Sequence, residues 1–164
     1  MQTLKILNFE NATEAEIENF ELREAVRAVI FDNDGKIALL KSGEVYKNPG
    51  GGIETGESFE EALVRECQEE AGCRIKILGE LGIVTELKKE VNFKQNSYGY
   101  LAQVLGEKGT PAFTDSEIER GFKLTWLDPH EALKNIENIS TTDYHAKYIL
   151  AREYALIKAG LDKK

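Results

Sequence analysis

From Asn48 to Cys73 the chain runs through a proline and three consecutive glycines, Asn48-Pro49-Gly50-Gly51-Gly52, and then into a segment that reads as one short helix. Ser58 followed three residues later by Glu61 forms a capping box, Ala62 and Leu63 open an apolar stripe, and Gly72 supplies a C-terminal stop. Glu66, Glu69 and Glu70 stand at i, i+3 and i+4, which on a helix is one face. At about 100° per residue, Leu63, Val64, Cys67 and Ala71 fall on an arc beside these carboxylates, so one face can pack on a sheet while its neighbour presents acid groups to a cleft.

Three carboxylates at that spacing lie only about 6 Å apart. At an effective dielectric near 20, each pair repels by roughly 3 kcal/mol when partly desolvated. A positive group has to sit among them, and carboxylate oxygens suit magnesium or manganese. The glycine loop ahead of the helix fits the same purpose, because glycine allows positive φ and close approach of a ligand to Gly51 and Gly52, and the carbonyl of Gly50 can join a metal's oxygen shell. A solvated glutamate-rich helix is the plainer reading of such a charge run, but it explains neither the three glycines nor the placement of Arg65. Arg65 lies beside the acid face, where it can pair with Glu57 and hold the loop against the helix.

Loop and helix together resemble the Nudix box, G-x5-E-x7-R-E-U-x-E-E-x-G-U, in which U is a bulky aliphatic residue. All seven fixed identities are present as Gly51, Glu57, Arg65, Glu66, Glu69, Glu70 and Gly72. Both U positions depart from the pattern, since Cys67 and Cys73 stand there; a buried free cysteine behaves as a small hydrophobe, so packing should survive. The resemblance implies the Nudix fold, an α/β/α sandwich with a mixed β-sheet between helices, and the same Arg65–Glu57 pairing. It also implies that a further acid joins the site from a loop after the box. The segment Thr114-Asp115-Ser116-Glu117-Ile118-Glu119-Arg120 offers Glu117 or Glu119 for that, with ordinary solvated residues as the alternative.

The remaining composition sets bounds. With 164 residues and 41% apolar content, the chain fits one compact domain over residues 1–164, with residues 1–20 acidic and peripheral. No stretch approaches the roughly 20 apolar residues of a membrane span, and the first residues lack the organisation of a signal peptide, so a cytoplasmic location is expected. A net charge of −8 argues against binding a nucleic-acid polymer, while bound dications still attract a small phosphorylated substrate. Cys67 and Cys73 form neither a redox pair nor a disulfide framework. The oligomeric expectation is a monomer or homodimer.

Along the chain, Leu22 to Phe31 and Lys36 to Lys41 read as strands joined by a turn at Asp32-Asn33-Asp34-Gly35. An EF-hand loop would need a glutamate six residues after Gly35, and Lys41 is there instead. Strands are expected over Arg74 to Val84, broken at Gly79 and Gly82, over Ser97 to Leu105 and over Phe122 to Leu127, with a polar loop from Glu86 to Asn96. Helices are expected over Pro129 to Asn135 and over Thr142 to Ala159, the latter ended by Gly160.

Charge also sets the chemistry. Hydrolysis of a phosphoanhydride brings water to a phosphorus ringed by negative oxygens, so charge must be neutralised and the water's proton removed. Magnesium held by Glu66, Glu69, Glu70, Glu117 and the Gly50 carbonyl meets the first need. Glu66 is favoured as the base with Glu57 in support and Glu70 as its rival, and Arg65 completes the catalytic set. The expected substrate is a nucleoside diphosphate linked to another moiety, above all a nucleoside triphosphate or related nucleotide. The absence of proline between Pro49 and Pro111 removes a mark of the family's ADP-ribose hydrolases. Arg23 and Arg27, at alternating strand positions, can touch phosphate or base or merely face solvent, and His130 and His145 are expected on helix surfaces. A nucleotide-sensing module without turnover is the alternative; its mark would be loss of a box acid or arginine, and none is lost.

Overall fold

The computed structural model describes residues 1–164. Seven strands form one mixed sheet: β1 (Thr3–Leu7), β2 (Glu21–Phe31), β3 (Ile37–Ser42), β4 (Val45–Lys47), β5 (Arg74–Lys88), β6 (Phe93–Leu105) and β7 (Lys123–Leu127). Their spatial order is β1-β5-β6-β2-β3-β4, with β7 on the free edge of β3. β2 runs parallel to β6, β1 parallel to β5, and the other pairs are antiparallel.

Side chains alternate across a strand, and β2 uses this to serve two cores. Val26, Ala28 and Ile30 turn to one face, where they meet Leu63, Cys67 and Ala71 of α2 (Phe59–Ala71). Val29 and Phe31 turn to the other, into a cluster with Leu156 and Ile157 of α5 (Tyr144–Lys163) and Ile136 of α4 (Pro129–Glu137). Leu63 and Leu156, fully buried on opposite faces, each contribute about 2 kcal/mol. The α/β/α layering expected from the sequence is therefore the observed one. No helix is long and apolar enough to cross a membrane.

The expected hairpin closes at Phe31 and Ile37, where Asp32 Oδ1 accepts from the N–H groups of Asp34 and Lys36, and Gly35 takes a φ of +79°. Beyond that single pair β3 leaves β2 and pairs with β4 and β7 instead. The cleft between β2 and β3 then becomes the seat of the glycine loop.

Several elements differ from expectation. Residues 1–20 are not peripheral: β1 extends the sheet, Leu7 is buried in the α5-side core, and Ala12 and Phe20 close a small cluster with Leu87 around α1 (Glu14–Ile17). The segment from Glu86 to Asn96 is no open loop, because β5 continues to Lys88 and a single 3-10 turn, Lys89–Val91, returns the chain into β6. Gly79 and Gly82 do not break β5; they mark bulges in its ladder with β6. Gly160 does not end α5, which runs to Lys163; an added Cβ there would lie 3.0 Å from Val29 Cγ1, so glycine lets helix and sheet approach. Val64 stays exposed, and Glu70 lies in the buried arc in its place.

Gly99 is a second close approach, since a Cβ would stand 2.3 Å from Leu156 Cδ2 in the filled core, whereas a Cβ at Gly79 meets nothing. Gly99→Ala is expected to lower stability by about 1–3 kcal/mol and Gly79→Ala by less than about 1 kcal/mol, read by urea denaturation.

Candidate active site

The site begins with unsatisfied backbone. Once β3 has left, the N–H groups of Val26 and Ala28 need acceptors, and the carbonyls of Gly51 and Pro49 supply them at 2.9 Å each. Gly50 sits between them at φ +140°, and a Cβ there would stand 2.1 Å from the carbonyl oxygen of Val26. Its own N–H donates to Glu70 Oε2 at 2.6 Å, while its carbonyl takes no protein donor. Gly51 faces the helix, since a Cβ would fall 2.1 Å from Glu66 Oε1. At Gly50 only bare backbone fits against β2, whereas at Gly51 a methyl would displace the Glu66 carboxyl group.

α2 forms as expected. Ser58 and Glu61 exchange capping-box hydrogen bonds at 2.8 and 3.2 Å, and Gly72 takes the left-handed C-cap at φ +62°. Arg65 reaches Glu57 through two hydrogen bonds of 2.8 and 2.9 Å and the Gly52 carbonyl at 3.2 Å, tying the loop to the helix. That pair holds the Glu57 carboxyl below its ordinary range, Arg65 first and the Glu54 N–H second. Arg65 also touches Glu66 Oε1 at 2.9 Å and Glu69 at 3.4 Å. Cys67 and Cys73 are buried, and burial pushes both thiols up, as packing residues require.

A cavity of about 450 Å³ opens beside the loop. Glu66, Glu70 and Glu117 line it together with Gly50, Gly51 and Gly52, so these predicted residues come together. Glu117, near the start of α3 (Asp115–Glu119), bonds its own cap residue Thr114 and lines the cavity with Glu70. Glu119 is exposed and Glu57 stands behind Arg65; neither lines the cavity, nor does Glu69, whose side chain is 48% exposed.

No three carboxylates converge on one point. Arg65 engages Glu66 and Glu69, and Lys47 Nζ lies 2.8 Å from Glu70 Oε1. Burial pushes the Glu70 carboxyl up to about 7, against the pull of Lys47, and burial with the charge of Arg27 draws the Lys47 ammonium down. Burial thus works against both charges of the pair, which is offset by its short contact and by the Gly50 N–H on Glu70. The donors are of the kind a hard dication takes, carboxylate oxygens of Glu66, Glu70 and Glu117 in one cavity and an unengaged carbonyl at Gly50, with Arg65 on Glu66 and Lys47 on Glu70 in the ion's absence. Lys47 and Arg65 supply the positive charge the carboxylates demand.

Arg27 is buried and lines the cavity, where burial and the neighbouring Arg152 pull it down to about 10. Arg23 lies beside it and bonds Gln95. Lys47, Lys88, Gln95, Ile149 and Arg152 also line the cavity and were missed by sequence reasoning. Lys47 and Lys88 sit at the ends of strands and Gln95 lies within one; only His145, Ile149 and Arg152, at i, i+4 and i+7 of a helix, carried a signal.

A model of the NUDIX domain matches residues 21–148. The chain belongs to the Nudix hydrolase family. An ADP-ribose pyrophosphatase of Methanocaldococcus jannaschii is 34% identical over 82 residues, 47% of this chain and 48% of that protein. The Bacillus subtilis "Putative 8-oxo-dGTP diphosphatase" is 28% identical over 103 residues, 62% of this chain and 63% of that protein. The chain thus spans about half to two thirds of these curated relatives. Among solved structures, an Ap4A hydrolase from C. elegans superposes with a TM-score of 0.61 at 17% identity, covering 87% of this chain and 98% of that one, which shows the shared Nudix fold.

The two loop glycines separate structure from site. Gly50→Ala drives a methyl into the Val26 carbonyl at a φ that alanine resists, and is expected to lower stability by about 2–4 kcal/mol. Gly51→Ala meets only the movable end of Glu66, so its expected loss is below about 1 kcal/mol. Thermal unfolding of both variants without metal checks the contrast.

Proposed function

We propose that this Nudix protein is a magnesium-dependent hydrolase of the phosphoanhydride bond in a nucleoside diphosphate linked to another moiety, with manganese as a substitute ion. The observation that carries the reading is the joining of the intact box to a cavity lined by both acids and cations. Glu66, Glu70 and Glu117 line it together with Arg23, Arg27 and Arg152. A diphosphate needs both kinds of group: cations to draw in its charge and acids to hold metal and take a proton. The relatives support the class, one named for ADP-ribose and one for an oxidised nucleoside triphosphate. ADP-ribose therefore stays among the candidate substrates despite the missing proline.

Glu66, Glu70, Glu117 and the Gly50 carbonyl would hold the dication. Glu69 would join them by giving up its 3.4 Å contact with Arg65. When bound, the ion would polarise the phosphoryl oxygens and acidify the attacking water. Glu66 Oε2 has no protein partner, because Arg65 engages Oε1 only, and it is the atom assigned to accept the water's proton. Arg65, held by Glu57 and the Gly52 carbonyl, fixes the Glu66 carboxylate in place. Lys47 balances Glu70 until metal takes over that charge. Arg27 and the Gly51 and Gly52 backbone face the phosphates.

Product release should be followed over nucleoside triphosphates, dinucleotides and nucleotide sugars, with magnesium and with chelator. Turnover is expected only with metal. Glu66→Gln should cost about 10²–10⁴ in kcat with little change in metal-free melting temperature. Tight nucleotide binding with no product from any substrate would mark a sensor and overturn the reading.

A further inference from the structure

The glycine loop enters the site through a polar contact that stands outside the cavity. Asn48 follows directly on β4 and is fully buried, as is Glu153 of α5, and neither lines the cavity. Glu153 Oε2 accepts from both donors of Asn48, the backbone N–H at 3.1 Å and Nδ2 at 2.6 Å. The next residue, Pro49, has no N–H to offer. The loop entry is therefore held at three points: Asn48 by Glu153, the Pro49 carbonyl by the Ala28 N–H, and the Gly50 N–H by Glu70. Glu153 and Glu70 come from α5 and α2, which pack on opposite faces of the sheet. The unengaged Gly50 carbonyl lies between the anchored Gly50 N–H and the Gly51 carbonyl that Val26 holds, so its direction is set by these contacts.

Stability does not account for the pair. Asn48 Oδ1 is buried without a hydrogen-bond partner, and a buried acceptor left unmet is destabilising. Arg152, whose Nε donates to Glu153 Oε1 at 2.9 Å, gives the carboxylate a counter-charge but leaves the amide of Asn48 unexplained. An apolar residue would fill that buried position without an orphaned oxygen. What the amide adds is direction, because a short hydrogen bond to a carboxylate restricts donor and acceptor more narrowly than apolar contact does.

We infer that Glu153 is a positioning residue for the metal-holding groups. Acting through Asn48, it sets the approach of Pro49 and Gly50, and with it the place of the Gly50 carbonyl and of the Glu70 carboxylate that the Gly50 N–H engages. The role toward metal rests on the proposed hydrolase reading, whereas the placing of Gly50 does not. Glu153 lies past residues 21–148, the span of the family match, so the family pattern does not assign it.

The test uses the full-length protein and two readouts: the Gly50 amide resonance in metal-free, 15N-labelled protein, and the Kd for manganese, followed by the paramagnetic signal of the free ion. Asn48→Ala removes the Nδ2 bond together with the orphaned oxygen, so the variant is expected to fold. Glu153→Asp draws the carboxylate back from Asn48 by one methylene and keeps a charge beside Arg152. Each should move the Gly50 amide proton upfield and raise the manganese Kd about tenfold. The double variant should lose no more than either single one, because both act through one contact. Ile157→Val, one turn on along α5 and fully buried, should lower the melting temperature while leaving both readouts unchanged. An unmoved Gly50 amide with an unchanged manganese Kd in Asn48→Ala and Glu153→Asp overturns the positioning role and leaves the hydrolase reading standing, as do equal losses in Ile157→Val. A shifted Gly50 amide and weakened manganese binding in a chain that hydrolyses no substrate uphold the positioning role and sink the hydrolase reading.

Discussion

The glycine loop is held where it is because β2 loses its neighbour. β3 pairs with β2 at one position only, and the N–H groups of Val26 and Ala28 would face an open edge if the Pro49 and Gly51 carbonyls did not meet them. Buried backbone donors must be satisfied, so this docking is obligatory for the fold. It also sets the site. With the loop seated, Gly50 directs its N–H into the Glu70 carboxylate and Gly51 leaves room for Glu66. One requirement of hydrogen bonding thus aligns sheet, loop and helix.

Charge organises the rest of the cavity into paired groups. Carboxylates of α2 are matched by Lys47 and Arg65, and cations from β5 and α5 are backed by Glu86 and Glu153. Buried ion pairs seldom repay their desolvation in stability, and Arg27 and Lys47, both drawn down by burial, show that cost. Such groups fit a site that must meet a highly charged ligand, where the same low dielectric strengthens each contact.

Much of the loop and helix was legible in the chain because their residues are local. The capping box, the C-terminal glycine, the Arg65–Glu57 pair and the burial of Cys67 all follow from spacing within one loop and helix. Glu117 was reachable only as one of two acids in its segment, and its place in the cavity lining singles it out over Glu119. Residues 1–20 were misjudged since charged composition hides a parallel edge strand, whose pairing with β5 spans about eighty residues. Gly160 read as a helix stop because the absence of a side chain looks alike whether it frees the backbone or admits a neighbour.

By itself the sequence determined a capped helix with acids on one face, a loop of three glycines ahead of it, and an apolar arc beside the acids that can pack on a sheet. Those are consequences of residue type at short spacing, where local geometry leaves little choice. Tertiary structure alone decided that Glu70 is buried against Lys47, that Glu69 turns outward, and that Arg23, Lys88 and Arg152 line one cavity with Arg27. These depend on strand register and on how α5 lies across the sheet, and contacts between residues that far apart are fixed only when the whole chain packs.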